Sequence, residues 1–256
     1  MKFLSFPFYI LALASLASLA LTSASAEQFD CFQGCSNSLK ASTNCKENTD
    51  YTVTYSNPPL IMITTPVVIA IHGGSIELNT KEIALDVANS LKWASYIFDA
   101  HASSKCKGDQ GNFWALHITS TKFNDERALT LLSRVNKAVS IHGMNGSELS
   151  VCVGGKDTLA KSSFSAYMKK NGDGSISILD KSSGVCAGKN GEEDNNIVNR
   201  TRNGLGLQLE LSAGLRKLLV TNETKKILFR KAVKTAMEAR FHIPPTHFIH
   251  DLPSSL

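Results

Sequence analysis

The sequence is poor in charged residues and lacks the patterns of several common protein classes. Charged residues make up 19% of the 256 residues and hydrophobic residues make up 43%. That hydrophobic fraction is sufficient for a buried core, so the composition excludes a wholly disordered chain. The net charge of +5 is not concentrated in a basic run with interleaved aromatic residues, and we predict no nucleic-acid partner. There is no internal repeat, and we expect one globular, monomeric domain.

Two short motifs resemble functional loops but lack an essential residue. Residues 72–75, His-Gly-Gly-Ser, are similar to the oxyanion loop of lipases. The sequence has no Gly-x-Ser-x-Gly to present a nucleophilic serine, which argues against a serine hydrolase. Residues 171–176 resemble a calcium loop, but Lys169 occupies the position of the first carboxylate ligand. We interpret that stretch as a turn.

The first 26 residues have the pattern of a secretory signal peptide. Lys2 gives a positive start, residues 3–21 are apolar, and Ala24-Ser-Ala26 matches a small-residue cleavage site. We predict cleavage after Ala26 and a secreted, extracellular protein that has no membrane segment once cleaved. An uncleaved anchor is the alternative, because the apolar stretch is almost long enough to span a bilayer.

The cysteine count agrees with an oxidising compartment. An even number of cysteines in a secreted chain predicts three disulfides but leaves their pairing open. A zinc half-site at Cys31 and Cys35 lacks a Cys/His pair at finger spacing, so we disfavour it. Residues 27–46 are read as a Cys-rich N-terminal extension, and sequons at Asn145, Asn199 and Asn222 permit N-glycans. The six cysteines are Cys31, Cys35, Cys45, Cys106, Cys152 and Cys186.

Strand-like and helix-like patterns alternate between residues 47 and 240. This interleaving indicates an α/β domain with a mixed sheet covered on both faces. Asn79, with Glu82 three residues later, predicts a capping box at the start of the first helix. The tail, residues 241–256, is expected to be irregular. Strands are predicted at 51–55, 66–71, 115–118, 138–141, 149–153, 175–179 and 207–211, and helices from residue 80, over 125–137, over 157–170 and over 223–239.

Polar side chains follow two of the predicted strands. His72 comes directly after the strand at 66–71, Glu77 lies across a Gly-rich turn, and His142 follows the strand at 138–141. Ligands of open α/β sheets bind at the carboxyl ends of strands, so these side chains could converge. Two imidazoles and one carboxylate are typical of a catalytic zinc site that keeps a position open for water. A single histidine at a strand end is more often structural, so spacing alone leaves both interpretations open.

A hydrolytic site also needs a group that moves protons. Glu210 lies in the alternating stretch Leu207-Gln-Leu-Glu-Leu, where apolar flanks would raise its pKa and suit it to act as a general base. The alternative is that it points to solvent. Upstream, Asn199, Arg200 and Arg202 offer donors for a substrate carboxylate or a developing oxyanion.

Several motifs together resemble the poly-γ-glutamate hydrolase family, which is related in fold to zinc carboxypeptidases. The resemblance covers roughly residues 47–220. It implies a three-layer α/β sandwich with a central mixed sheet, one zinc ion, and hydrolysis of γ-glutamyl amide bonds in an extracellular polymer. The motifs are His-Gly-Gly-Ser-Ile-Glu at 72–77, Leu-His-Ile-Thr-Ser-Thr-Lys-Phe at 116–123, Ile-His-Gly at 141–143, and the stretch 199–212.

The resemblance also implies roles for individual residues. His72, Glu77 and His142 resemble the metal ligands, Glu210 the general base and acid, and Arg200 a carboxylate-binding arginine. His117 is a rival third ligand, but we prefer a role in binding substrate or supporting a ligand, because its neighbours are apolar. The implied partner is an anionic γ-glutamyl polymer or peptide.

The sequence departs from the family pattern in two places. Phe123-Asn-Asp-Glu-Arg127 replaces the usual Phe-Asp-Glu-Pro, which puts substrate contacts from this loop in doubt. Thr201 replaces a common cysteine and creates the sequon at Asn199. A glycan there would crowd the expected cleft, so we predict that Asn199 is unmodified. A metallo-amidase acting on peptidoglycan or another γ-glutamyl peptide, and a non-catalytic secreted binding protein, are the alternatives.

Overall fold

The computed structural model describes residues 45–56, 63–103 and 116–239. The predicted signal peptide, most of the Cys-rich extension, Cys106 and the tail from residue 241 lie outside these ranges. Among the described residues, no helix combines the length and the apolar character needed to cross a bilayer.

Seven strands in the described ranges form one mixed sheet in the order β1-β3-β2-β4-β7-β5-β6. β1 is antiparallel to β3 and β5 is antiparallel to β7, whereas the other neighbours are parallel. The α/β class and the central mixed sheet are therefore confirmed, and the finer carboxypeptidase-like sandwich stays a prediction. The strands are β1 (Tyr51–Ser56), β2 (Val67–Gly74), β3 (Ala94–Ala100), β4 (Ala138–Met144), β5 (Ser150–Gly154), β6 (Ser177–Leu179) and β7 (Leu207–Ser212).

Helices connect the strands, as the alternating pattern predicts. Asp125, Asp157 and Ser212 each cap a helix, because a side-chain oxygen accepts a backbone N–H of the first turn. The helices are α1 (Thr80–Leu91), α2 (Glu126–Leu132), α3 (Thr158–Asn171), α4 (Ala213–Thr221) and α5 (Glu223–Glu238), with short 3-10 turns at Gly184–Cys186 and Ile197–Asn199.

A hydrophobic core lies against each face of the sheet. Alternate residues of β2 separate into the two cores: Val68 and Ala70 pack with α1, α3, α4 and α5, while Ile69 and Ile71 pack with α2 and the segment 116–123. Residues 67–71 of β2 are all buried and are accordingly all apolar. The second face carries the polar residues of β4 and β7, and His142 and Glu210, two of the candidate site residues, lie on this face.

Within the described residues, the structure lacks one of the predicted strands and contains two elements that were not predicted. No strand forms at 116–118: Leu116 and Ile118 are buried, but the Ile118 N–H donates to Leu116 O within one tight turn, so their alternation reflects an irregular segment. β3 and α4 have no counterpart among the predicted elements.

The predicted capping box at α1 is wrong. Asn79 has a φ of 73° and its side chain makes no capping hydrogen bond. The hydroxyl of Thr80 instead donates to Glu77 O at 2.8 Å and to His72 O at 3.3 Å. These hydrogen bonds join the start of α1 to the turn between His72 and Glu77.

Candidate metal centre

The carboxyl ends of parallel strands β2, β4 and β7 meet at one edge of the sheet and bring the predicted residues together. His72 lies within β2 and His142 within β4, rather than just after these strands. The register between β2 and β3 shifts between Ala70 and Gly73, as it does at a β-bulge. The turn after β2 closes through a 2.9 Å hydrogen bond from Glu77 N to His72 O, which returns Glu77 to the strand end.

His72, Glu77 and His142 form a compact cluster of ligand-type atoms. One donor atom from each lies within 4.8 Å of the others. Nδ1 of His72 is 2.9 Å from Glu77 Oε1 and 3.1 Å from Nδ1 of His142, and Nδ1 of His142 is 3.7 Å from Glu77 Oε2. These distances confirm that the sequence-distant side chains meet at one point.

The outer nitrogens of both imidazoles are held by the segment 116–120. Nε2 of His72 donates to Ile118 O at 2.8 Å, and Nε2 of His142 is 3.3 Å from Ser120 Oγ. A proton on Nε2 of His72 leaves a lone pair on Nδ1, which faces a carboxylate and a second imidazole. In the absence of a metal, Nδ1 of His142 can donate to this lone pair; once His142 loses that proton, three electron-pair donors converge on one point, and a divalent cation stabilises such an arrangement. Metal-binding histidines are commonly oriented by a carbonyl on the far nitrogen in this way.

The electrostatic environment shifts the pKa values of Glu77, His72 and His142 in different directions. Burial acts to raise the pKa of Glu77, but the adjacent imidazoles outweigh it and hold that pKa well below its usual range. Burial lowers the pKa of His72. For His142, burial is opposed by the carboxylates of Glu210 and Glu77, which together raise the pKa. The Gly143 N–H also donates to Glu77 Oε2 at 2.6 Å, so Glu77 is fixed as a carboxylate.

Glu210 lies beside this cluster on β7, directly opposite His142 in the strand pairing. It is buried rather than exposed to solvent, and burial raises its pKa to about 7. Gln208, two residues earlier on the same face of β7, donates to Glu210 Oε1 at 2.9 Å. Asn196 in turn donates to Gln208 Oε1 at 2.9 Å. The carboxyl group is therefore both desolvated and oriented.

His117 also reaches the cluster. Its ring stacks on His72 with centroids 4.0 Å apart, and its Nε2 is 3.7 Å from Glu77 Oε1. Its side chain keeps 28% of its surface exposed, whereas His72 and His142 are almost fully buried. His117 thus lies on the open side of the cluster.

The three donors predicted to bind substrate lie in different environments. The buried amide of Asn199 donates to Gly191 O and Glu193 O at 2.8 and 2.9 Å, so the fold itself uses this side chain. Arg200 and Arg202 are exposed. The Arg202 N–H bonds to Val135 O, which precedes β4, so its backbone lies at the opposite strand ends from His142. The structure does not bring Arg202 to the cluster.

Several residues that support the site are not among the predicted ones. Ser120, Gly143 and Gln208 contact His142, Glu77 and Glu210, as described above. Gln208 has a sequence signal, because it is two residues from Glu210 and a strand has a period of two. The contacts of Ser120 and Gly143 depend on tertiary structure. A disulfide joins Cys152, which pairs with Glu210 across β5 and β7, to Cys186, and Cys45 is disulfide-bonded as well.

Sequence comparison decides the family. The family model described as poly-gamma-glutamate hydrolase matches residues 36–242. The protein belongs to this family. The resemblance inferred from the motifs is therefore confirmed, and the predicted enzyme class of hydrolase is supported by family membership.

The curated relatives of this chain are distant in sequence. The chain is 32% identical to the Bacillus subtilis (strain 168) protein YndL over 152 residues, which is 59% of this chain and 55% of YndL. It is 32% identical to the SPbeta prophage-derived protein YoqZ of the same organism over 150 residues, or 59% of this chain and 50% of YoqZ. The chain thus spans about half the length of these curated relatives.

Two solved structures share the fold of this poly-γ-glutamate hydrolase family member. A bacteriophage poly-gamma-glutamate hydrolase superposes with a TM-score of 0.64 at 21% identity, over 82% of this chain and 95% of that chain. YndL in a zinc-free apo form superposes with a TM-score of 0.64 at 24% identity, over 83% of this chain and 98% of that chain. At these identities the likeness establishes the fold.

Proposed function

We propose that the protein is a secreted, zinc-dependent hydrolase that cuts the γ-glutamyl amide bonds of poly-γ-glutamate. The convergence of Nδ1 of His72, Nδ1 of His142 and the Glu77 carboxylate carries this proposal. Membership of the family supports the substrate class. The description of the YndL structure as zinc-free supports zinc as the metal of the family.

The donor set fits zinc. Imidazole nitrogens and a carboxylate oxygen are zinc ligands, and catalytic sites use three of them so that a further position stays open. His72, Glu77 and His142 would hold the ion. When bound, zinc would supply Lewis acidity that polarises an amide carbonyl and lowers the pKa of water.

Glu210 is the general base and acid of the proposed reaction. Its carboxylate takes a proton from the attacking water and delivers it to the nitrogen of the leaving amine. A pKa of about 7 is matched to both transfers near neutral pH, because the group is then able to accept and release a proton. The hydrogen bond from Gln208 orients the carboxylate.

Two side chains remain candidates for binding the substrate. His117 is partly exposed beside Glu77, which suits a contact with the amide or with a neighbouring carboxylate. Arg200 lies three residues after Ile197, and the Ile197 N–H donates to Ser120 O near His142. The exposed guanidinium of Arg200 suits a carboxylate of the polymer. Asn199 is better assigned to holding this segment in position. Arg202 is the weakest of the predicted contacts, because its backbone lies at the far strand ends.

Two further properties support action outside the cell. The N-terminal pattern of a signal peptide and the Cys152–Cys186 disulfide agree with an oxidising compartment. The full chain has a net charge of +5, and removal of Lys2 with the signal peptide leaves +4, which favours encounter with a polyanion that bears one carboxylate per residue.

The test is a size assay on poly-γ-glutamate, with α-linked polyglutamate and peptidoglycan peptides in parallel. We expect the γ-linked polymer to be shortened, a chelator to stop the reaction and added zinc to restore it. Glu210→Gln should abolish turnover while one zinc remains bound. The matched control Glu238→Gln, at an exposed position of α5, should retain both properties. Cleavage of the peptidoglycan peptides alone would assign a different amidase substrate, and full activity of Glu210→Gln would refute the assigned base.

A further inference from the structure

Arg216 is a buried arginine that none of the proposed catalytic steps uses. It lies on α4, shortly after β7 ends, and only 7% of its surface is exposed. Its Nε donates to Leu78 O at 2.7 Å, and its Nη1 donates to Met144 O at 3.1 Å and to Leu211 O at 2.5 Å. A buried guanidinium is thus bound to three main-chain carbonyls from three separate parts of the chain.

Each of these carbonyls belongs to a segment that carries one residue of the site. Leu78 directly follows Glu77, Met144 comes two residues after His142, and Leu211 directly follows Glu210. The turn after β2 and the ends of β4 and β7 are therefore joined through one side chain. The rigid, planar fork of a guanidinium can make these divergent hydrogen bonds from separate nitrogen atoms, whereas the ammonium of lysine donates all of its hydrogen bonds from one nitrogen.

Gly143 provides the space that this guanidinium occupies. A Cβ atom at Gly143 would lie 2.2 Å from Arg216 Nη1, 2.6 Å from Arg216 Cζ and 3.0 Å from Glu77 Cβ. The same glycine donates its N–H to Glu77 Oε2. The guanidinium, the backbone of β4 and the metal-ligand candidate Glu77 are therefore packed against one another without room for an intervening side chain.

We propose that Arg216 is a positioning residue that sets the zinc affinity by holding the segments of Glu77, His142 and Glu210 in register. This inference rests on the proposed function, because it takes the cluster to be a zinc site. Zinc replaces the hydrogen bonds that join the two imidazoles and Glu77, so its affinity depends on how firmly the protein holds the three segments in place when the ion binds. Loss of groups that orient metal ligands typically weakens metal binding about 10- to 100-fold.

The experiment measures zinc affinity of the metal-stripped full chain by competition with a chelator. We expect Arg216→Lys and Arg216→Met to bind zinc about 10- to 100-fold more weakly than the unsubstituted protein. Lysine should behave more like methionine than like arginine, because the fork and not the charge alone is required. The matched control is Arg230→Lys. Arg230 on α5 bonds to Asp86 and Ser90 on α1, so its replacement should leave zinc affinity within about twofold.

A second variant guards against misfolding of the Arg216 substitutions. Gly143→Ala keeps the arginine but forces the guanidinium or Glu77 to move, so zinc affinity should again fall while circular dichroism of the metal-free protein stays native. The inference would be overturned if Arg216→Lys and Gly143→Ala bound zinc as tightly as the unsubstituted protein and Arg230→Lys do. If the unsubstituted protein binds no stoichiometric zinc, the proposed function fails instead, so the two failures are distinguishable.

Discussion

Two neighbouring carboxyl groups have opposite electrostatic environments, and this contrast supports the different roles proposed for them. Imidazoles hold the pKa of Glu77 well below its usual range, whereas burial raises the pKa of Glu210 to about 7. A carboxylate that stays charged suits a cation, and one that titrates near neutrality suits proton transfer. Such a divergence of pKa values is a general mark of acid and base assignments.

The raised pKa of Glu210 predicts a cost in stability at high pH. The ordinary pKa of 4.5 applies to the unfolded chain and about 7 to the folded one. The folded protein therefore holds the proton more tightly, and stability is lost as the pH rises from below 4.5 through 7. At about 1.4 kcal/mol per pH unit, the loss is roughly 3 kcal/mol.

Glu210→Gln removes this loss, because glutamine does not ionise. In the zinc-free protein, the substitution should stabilise the fold at pH 8 and have little effect at pH 4, as measured by urea unfolding at both values. Glu238→Gln, an exposed control, should change neither. A destabilising effect of Glu210→Gln at pH 8 would contradict the assigned environment.

The residues of the cluster were predictable from the sequence because each follows or ends an apolar strand. His72 and His142 end such stretches, and a turn returns Glu77 to the same edge. The spacing of residues in the sequence did not show that Asn199 and Arg202 lie in different environments from the cluster. Spacing does not reveal that the side-chain amide of Asn199 donates hydrogen bonds to two backbone carbonyls. The role of Arg216 could not be predicted from the sequence either, because no pattern around it indicates which backbone carbonyls its guanidinium contacts.

At the scale of elements, the strands were predicted best where they are central and buried. The sequences of β2, β4 and β7 are either continuously apolar or alternate between apolar and polar residues, and strands form at all three places. The strand predicted at 115–118 does not form over its described part, residues 116–118, because the buried side chains of Leu116 and Ile118 alternate in a loop as they would in a strand. β3 had a signal in Tyr96-Ile97-Phe98, a run of aromatic and β-branched residues typical of strands.

The start of α1 gives a prediction for a single element. Asn79 has left-handed backbone geometry and no capping hydrogen bond from its side chain. Asn79→Gly should therefore leave the free energy of unfolding unchanged or raise it slightly, whereas Asn79→Ala should lower it by about 1 kcal/mol, because alanine is strained at positive φ. Chemical denaturation distinguishes the two. Equal losses for both substitutions would indicate that the side chain does cap α1.

At the scale of the whole molecule, the two faces of the sheet have different tasks. The face covered by α1, α3, α4 and α5 is an extended apolar core. The other face has an apolar core over β2 and β3 and polar residues over β4 and β7. Periodicity predicted the α/β class, but it could not predict strand order, which depends on contacts between distant residues.

The Cys152–Cys186 disulfide joins segments 34 residues apart on the polar face. The segment beyond Cys186 supplies Lys189 O, which accepts from Gln208 at 3.2 Å, so the disulfide also helps to orient the partner of Glu210. Replacing both cysteines by alanine should lower the free energy of unfolding by about 2–4 kcal/mol and reduce turnover. Urea unfolding and the polymer assay measure the two effects. Unchanged stability and turnover would show that the cross-link is dispensable.

Zinc titration of the metal-stripped protein, with polymer shortening recorded at each addition, is the most direct measurement of the proposed chemistry. Activity should rise linearly and level off at one zinc per chain, and His142→Ala should show neither tight binding nor activity. Full activity before any zinc is added, or a plateau that His142→Ala reproduces, would contradict a zinc-dependent hydrolase at this cluster.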